Sequence, residues 1–89
     1  MDRSLDQLRR LDIDDMILMR LLLMDYNGVE VAKELGLTQP AISHRKNKLS
    51  DIFGGFFNHK VKGTGRECLT EKGLAICKKM DEALKVLVS

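Results

Sequence analysis

Aromatic residues, prolines and long apolar runs are scarce in this chain of 89 residues: aromatics make up 4% of it, and Pro40 is its one proline. The longest nearly apolar run spans 16–24 and is interrupted by Arg20, whereas a membrane-spanning helix needs about 20 apolar residues. The N-terminus lacks the apolar stretch of a secretory signal. Because the hydrophobic share of 44% is ordinary for globular proteins, we expect one folded cytoplasmic domain and no membrane partner.

Cysteine is also scarce, and no catalytic or metal-binding pattern is present. Cys68 and Cys77 do not form a C-x-x-C pair, and neither histidine is spaced to complete a zinc site. We expect two idle thiols, with a disulfide as the alternative. No carboxylate is placed to orient a histidine, and no Ser or Cys lies in a nucleophile motif. The sequence therefore predicts neither an enzyme nor a bound cofactor.

Charge is distributed unevenly, although the net charge is only +2. Residues 1–30 hold seven acidic and four basic residues, a net charge of −3. Residues 38–66 hold six basic residues and one acidic residue, a net charge of +5. A basic middle between neutral or acidic ends favours a nucleic-acid surface, with an ordinary solvated basic face as the alternative.

The first third of the chain predicts a short helical turn and then a long helix. Ser4 to Gln7 has the form of a capping box. Asp12 is placed to cap a helix over about 13–25, with Asp15 three positions further on. The stretch 16–24 is apolar nearly all round, so this helix should be buried on two sides. A second subunit on one side and a plain central core helix are the two alternatives.

A helix-turn-helix is predicted over about 29–53. A short helix over 29–35 ends at Gly36, which is expected to adopt a left-handed conformation. Thr38 caps the next helix, Pro40 lies in its first turn, and the helix stops before the glycine pair 54–55. Two short helices joined by a tight turn containing glycine are typical of this DNA-binding motif.

The last third predicts a β-hairpin wing and a long C-terminal helix. Residues 56–61 and 67–69 can pair across a glycine-rich tip, placing the wing at about 56–69. Thr70 caps a helix over about 70–88, whose apolar seam is a core-facing stripe or a dimer contact: Cys77, Met80, Leu84 and Leu87. The predicted fold of residues 1–89 is therefore mainly α, a single winged helix-turn-helix domain.

The second helix of the motif carries a polar strip at helical spacing. Gln39, Ser43 and Asn47 repeat every four residues, with Pro40 and His44 beside them. Ala41, Ile42 and Leu49 are expected to face the core. Glutamine can bond adenine through two hydrogen bonds, and serine can bond a base or a phosphate. Contact with DNA is the favoured interpretation, and a plain solvated helix face is the alternative.

Two short strings resemble a known family. Residues 37–43, Leu-Thr-Gln-Pro-Ala-Ile-Ser, followed by Leu49, resemble the recognition helix of LysR-type bacterial transcription regulators. Residues 69–73, Leu-Thr-Glu-Lys-Gly, resemble the start of their linker helix after the wing. Lys46 stands where this family usually has an apolar residue, and Ser50 stands where it usually has Glu. These regulators carry an effector domain after the linker helix, and we expect none within residues 1–89. The chain is either an excised DNA-binding domain or a stand-alone winged helix.

The resemblance implies a transcription regulator that binds double-stranded DNA as a homodimer on a pseudo-palindromic site. The first and last helices would form the dimer interface, and wing residues would touch the backbone or the minor groove. The DNA-binding candidates are Thr38, Gln39, Pro40, Ser43, His44, Lys46, Asn47, Lys48, Lys60, Lys62 and Arg66. The competing hypothesis is a protein-interaction module that joins another regulator without binding DNA itself.

Overall fold

The chain is described by a computed structural model that covers residues 3–58 and 65–88. Its elements are α1 (Arg3–Leu8), α2 (Ile13–Leu23), α3 (Gly28–Leu35), α4 (Gln39–Phe53), a 3-10 turn (Gly65–Cys68) and α5 (Glu71–Val88). The prediction of a mainly α fold is confirmed. The predicted helices are all present, and α2 ends two residues earlier than expected.

Local hydrogen bonds explain where three of these helices begin. Asp12 and Asp15 form the expected reciprocal capping box at the start of α2. Thr38 accepts a hydrogen bond from the backbone N–H of Ala41 and so caps α4. Asn27 and Glu30 form a second capping box at the start of α3.

Helix α2 is the centre of the core, and its most extensive contact is with α5. Leu18, Met19 and Leu22 of α2 are fully buried. Cys77 and Leu84 of α5 are also buried, whereas Leu87 is 68% exposed. The predicted seam of α5 is thus core-facing as far as Leu84, and α2 is a central core helix along its middle.

The predicted β-hairpin wing is wrong for the residues that the structure describes. Within these residues, the pairing consists of one antiparallel bridge, between Phe57 and Leu69. The predicted strand 67–69 is instead largely a 3-10 turn, over Gly65–Cys68. The expected tip, 63–65, lies mostly outside the described residues. The domain is therefore mainly α, and a winged helix with a β-hairpin is not what this chain forms there.

The segment around Phe56 is held both by the core and by the start of α5. The Phe56 side chain is fully buried and stacks against Phe53 at 5.8 Å between ring centroids. Its carbonyl accepts hydrogen bonds from the backbone N–H and the hydroxyl of Thr70, at the start of α5. The backbone of this segment thus holds the N-terminus of α5, and the Cys68 thiol donates to the Gly65 carbonyl across the 3-10 turn.

Candidate nucleic-acid interface

Helices α3 and α4 are joined by a tight turn that has the form of the predicted motif. Gly36 lies in the left-handed region at φ 65° and ψ 33°, as expected for the residue that ends α3. The backbone N–H of Leu37 then bonds the Ala32 carbonyl at 2.9 Å. Val31 and Ile42 are buried on the inner sides of the two helices, which fixes how the pair packs on α2.

The polar strip of α4 is exposed, as its spacing predicted. All five of its members face solvent: Gln39, Pro40, Ser43, His44 and Asn47. On the opposite side of the helix, Ile42 and Leu49 are buried and Ala41 is half-buried. We call these five exposed residues the recognition strip. They can reach a partner without any disturbance of the core.

Two open grooves flank the recognition strip. One, of about 440 Å³, lies between the start of α3 and α4 and contains Gln39, Ser43 and Lys46. The other, of about 370 Å³, lies on the far side and contains His44, Arg45 and Lys48 together with Asp12. The groove on one side of the strip therefore contains one cation, Lys46. The groove on the other side contains two cations, Arg45 and Lys48, together with the Asp12 carboxylate.

Lys46 is half-buried, and its ammonium nitrogen lies 5.9 Å from the centroid of the Phe57 ring. A cation at this distance over an aromatic face gains a weak electrostatic attraction. A half-buried lysine can cover apolar surface with its stem while its ammonium group stays accessible to solvent. Lys46 is therefore placed beside the recognition strip at the groove it shares with Gln39 and Ser43.

Three acidic residues at the start of α2 meet two basic residues of α4. We call the five residues the Asp15 cluster: Asp12, Asp14, Asp15, Arg45 and Lys48. Arg45 lies 2.9 Å from the Asp15 carboxylate and 2.8 Å from that of Asp12. Lys48 lies 2.5 Å from Asp15, which is fully buried. The predicted contact of Lys48 with DNA therefore competes with an internal ion pair, which could not be predicted from the sequence.

The Asp15 cluster stabilises the ionised carboxylate of Asp12 and the protonated guanidinium of Arg45. Burial alone would raise the pKa of Asp12. The hydrogen bonds from Arg45 and from the Asp15 backbone, together with the charges of Arg45 and Lys48, outweigh burial, so the pKa lies below its ordinary value. The hydrogen bond to Asp12 raises the pKa of Arg45 in turn. Asp12 is thus ionised whenever the cluster is formed at neutral pH.

Arg66 is exposed, and its backbone is tied to the end of α2. Its N–H donates to the Asp25 carboxylate at 3.1 Å. Asp25 itself adopts a left-handed backbone conformation at φ 69°, and Gly65 lies so close to it that a Cβ there would be 2.4 Å from the Asp25 carboxylate. These contacts fix the backbone of Arg66. Lys60 and Lys62 lie outside the described residues.

A second exposed feature is an apolar groove between α2 and α5, with a volume of about 450 Å³. It is lined by Ile13, Ile17, Arg20, Leu21, Met24, Leu84 and Val88. Arg20 is held at its edge by Asp81, 3.1 Å away. The end of α5 beside the groove leaves Leu87 and Val88 largely exposed. The groove and the exposed end of α5 are surfaces of α2 and α5 that the rest of the described fold does not cover.

The described part of the chain was also compared with the requirements of a metal site, a membrane span and a reactive thiol. No group of acidic, histidine or cysteine side chains there is arranged to hold a metal ion, and no helix there is long and apolar enough to cross a bilayer. Cys68 and Cys77 are free and buried, and burial raises the pKa of Cys77 to about 12. A comparison with family models, curated proteins and solved structures found no match for this chain.

Proposed function

We propose that this chain binds double-stranded DNA sequence-specifically and regulates transcription, as its resemblance to LysR-type regulators implies. The observation that carries the proposal is the recognition strip. Its polar side chains face outward from the first half of α4, while the core holds the opposite side of the helix. In helix-turn-helix proteins the N-terminal residues of the second helix contact base edges in the major groove.

The strip has suitable dimensions and chemistry for that role. From Gln39 to Asn47 it extends about 12 Å along the helix axis, which is comparable to the width of the major groove. Amide side chains can bond adenine through two hydrogen bonds, and the Ser43 hydroxyl can bond a base or a phosphate. Pro40 and His44 add contact surface beside them.

Phosphate contacts would come from cations that flank the strip. Lys46 lies at the groove beside Gln39. Arg66 is exposed and lies near Asp25, just after the C-terminal end of α2. Lys60 and Lys62 precede Arg66 in the sequence by a few residues. Neutralising phosphates supplies most of the affinity of such proteins, and it makes binding sensitive to salt.

The proposal includes a homodimer formed through α2 and α5, the long helices at the two ends of the chain. The supporting features are the apolar groove between α2 and α5 and the end of α5, where Val86, Leu87 and Val88 are largely exposed. A two-fold symmetric dimer would present two copies of α4 to successive major grooves. The DNA site would then be pseudo-palindromic.

The experiment is a charge reversal that separates DNA binding from self-association. Lys62→Glu combined with Arg66→Glu should abolish binding of a mixed-sequence duplex, measured by fluorescence anisotropy, because two phosphate contacts become repulsive. Self-association, measured by sedimentation equilibrium, should be unchanged. The matched control is Lys78→Glu with Lys79→Glu, which makes the same charge change on the exposed side of α5.

Two results would contradict parts of this proposal. If the double reversal bound DNA as the parent does, residues 62 and 66 would be removed from the interface. If the folded parent bound no duplex even at low salt, the protein-interaction module would become the better hypothesis, with the apolar groove as the surface to investigate.

A further inference from the structure

Two basic residues of α4 are turned away from the recognition strip and form ion pairs with a buried carboxylate. Arg45 and Lys48 both point to the start of α2, where each forms an ion pair with Asp15. Their side chains are only 19% and 21% exposed. Both cations belong to α4, the helix proposed to enter the major groove, but their charges are already paired within the protein.

Asp15 has its hydrogen-bonding capacity occupied on both oxygens. Oδ1 accepts from Arg45 at 2.9 Å. Oδ2 accepts from the backbone N–H of Asp12 at 3.1 Å and lies 2.5 Å from the Lys48 ammonium. A fully buried carboxylate that loses such partners becomes an uncompensated charge, which strongly destabilises a fold. The cations are therefore retained by the protein and not simply placed near an acidic surface.

The rest of the cluster strengthens this retention. Asp12 accepts two hydrogen bonds from Arg45, and Asp14 lies 3.6 Å from the same guanidinium. Three carboxylates thus surround two cations. Of the six basic residues in 38–66, two are neutralised inside the protein, so the charge that faces a partner is smaller than the sequence indicates.

We propose that Asp15 is a positioning residue that increases DNA specificity by withholding Arg45 and Lys48 from phosphates. The proposal rests on the proposed function. Lysine and arginine contacts to phosphates bind any sequence, and they supply nearly all non-specific affinity. A recognition helix with fewer such contacts discriminates better, because specificity is the ratio of specific to non-specific binding. The ion pairs of the cluster also tie α4 to the start of α2.

The first test replaces Asp15 by its neutral isostere. Asp15→Asn removes the nearest carboxylate of Lys48, whose other carboxylate, Asp12, is 3.9 Å away, and one of the three carboxylates around Arg45. Lys48 should be released and Arg45 held less firmly, so the variant should bind a mixed-sequence duplex more tightly than the parent. The slope of log K against log salt should become steeper by about 0.9 for one released cation and about 1.8 for two. The ratio of affinities between a duplex selected with the parent and the mixed-sequence duplex should fall.

The control for this variant is Glu34→Gln, which removes one negative charge at an exposed position of α3. Its salt slope should equal that of the parent. If Asp15→Asn behaved like this control, or if it weakened binding of both duplexes equally, Asp15 would have only a structural role and the proposal would be overturned.

A second pair of variants decides the question even if Asp15→Asn fails to fold. Lys48→Gln leaves the Arg45 contact with Asp15 intact, and Lys46→Gln makes the same change two residues away. The proposal predicts an unchanged salt slope for Lys48→Gln and a slope shallower by about 0.9 for Lys46→Gln. An equal loss of slope in both would show that Lys48 contacts phosphate, which contradicts the proposal.

Failure of this inference is distinguishable from failure of the proposed function. If the parent bound no duplex and selected no site, the function itself would be wrong. If the parent bound and selected a site while the Asp15 and Lys48 variants gave the contradicting results above, DNA binding would stand and only the role of Asp15 would fall.

Discussion

At the scale of single residues, α4 has two kinds of polar side chain with different fates. The members of the recognition strip are exposed, and this was predictable from their four-residue spacing alone. The pairing of Arg45 and Lys48 was not predictable, because their acidic partners precede them by about thirty residues and meet them only through the packing of α2. Counting charges along the sequence therefore overstated the basic surface.

Gln39 gives the sharpest prediction at this scale. Gln39→Ala removes an amide to which the proposed function assigns a contact with one base, so preference at one position of the site should relax by about 1–3 kcal/mol. Selection from a randomised duplex pool, followed by sequencing, measures the preference. Gln7→Ala, at an exposed position of α1, is the control and should leave the selected site unchanged. An unaltered preference in Gln39→Ala would remove this residue from base recognition.

At the scale of elements, the helices followed from local signals and the wing did not. Caps at Asp12 and Thr38 and the left-handed Gly36 act within a few residues, so the sequence indicated them correctly. Residues 56–61 equally fitted a strand, and the bond that the Thr70 N–H donates to the Phe56 carbonyl does belong to an antiparallel bridge. On the other side of this bridge, residues 65–68 form a 3-10 turn, and the Arg66 N–H of that turn donates to the distant Asp25 carboxylate. Such long-range contacts override a local strand preference.

The close contact between α5 and the Phe56 backbone leads to a stability prediction. A Cβ at Gly73 would lie 2.2 Å from the Phe56 carbonyl oxygen, so Gly73→Ala must displace backbone. We expect a loss of about 1–3 kcal/mol in the free energy of unfolding, measured by urea denaturation. Gly28→Ala is the matched control: no atom lies within 4 Å of its added Cβ, and it should be neutral or slightly stabilising. Equal stabilities for the two variants would contradict the packing described here.

At the scale of the whole molecule, charge and apolar surface lie on different parts of the fold. The recognition strip and Lys46 belong to the helix-turn-helix, whereas the apolar groove lies between α2 and α5. The sequence indicated both surfaces and their helices, but it left open whether α2 was covered by a second subunit. The structure buries Leu18, Met19 and Leu22 of α2 within the chain and leaves the side with Ile13 and Ile17, which lines the apolar groove, for a partner.

The most direct test of the account is the salt dependence of binding to a mixed-sequence duplex, followed by fluorescence anisotropy. If α4 and the flanking cations bind DNA, the binding constant should fall steeply as salt rises, with a slope of about 0.9 for each neutralised phosphate. Circular dichroism in the same buffers would establish that the helices remain folded. Absence of binding at low salt by the folded protein would contradict the account.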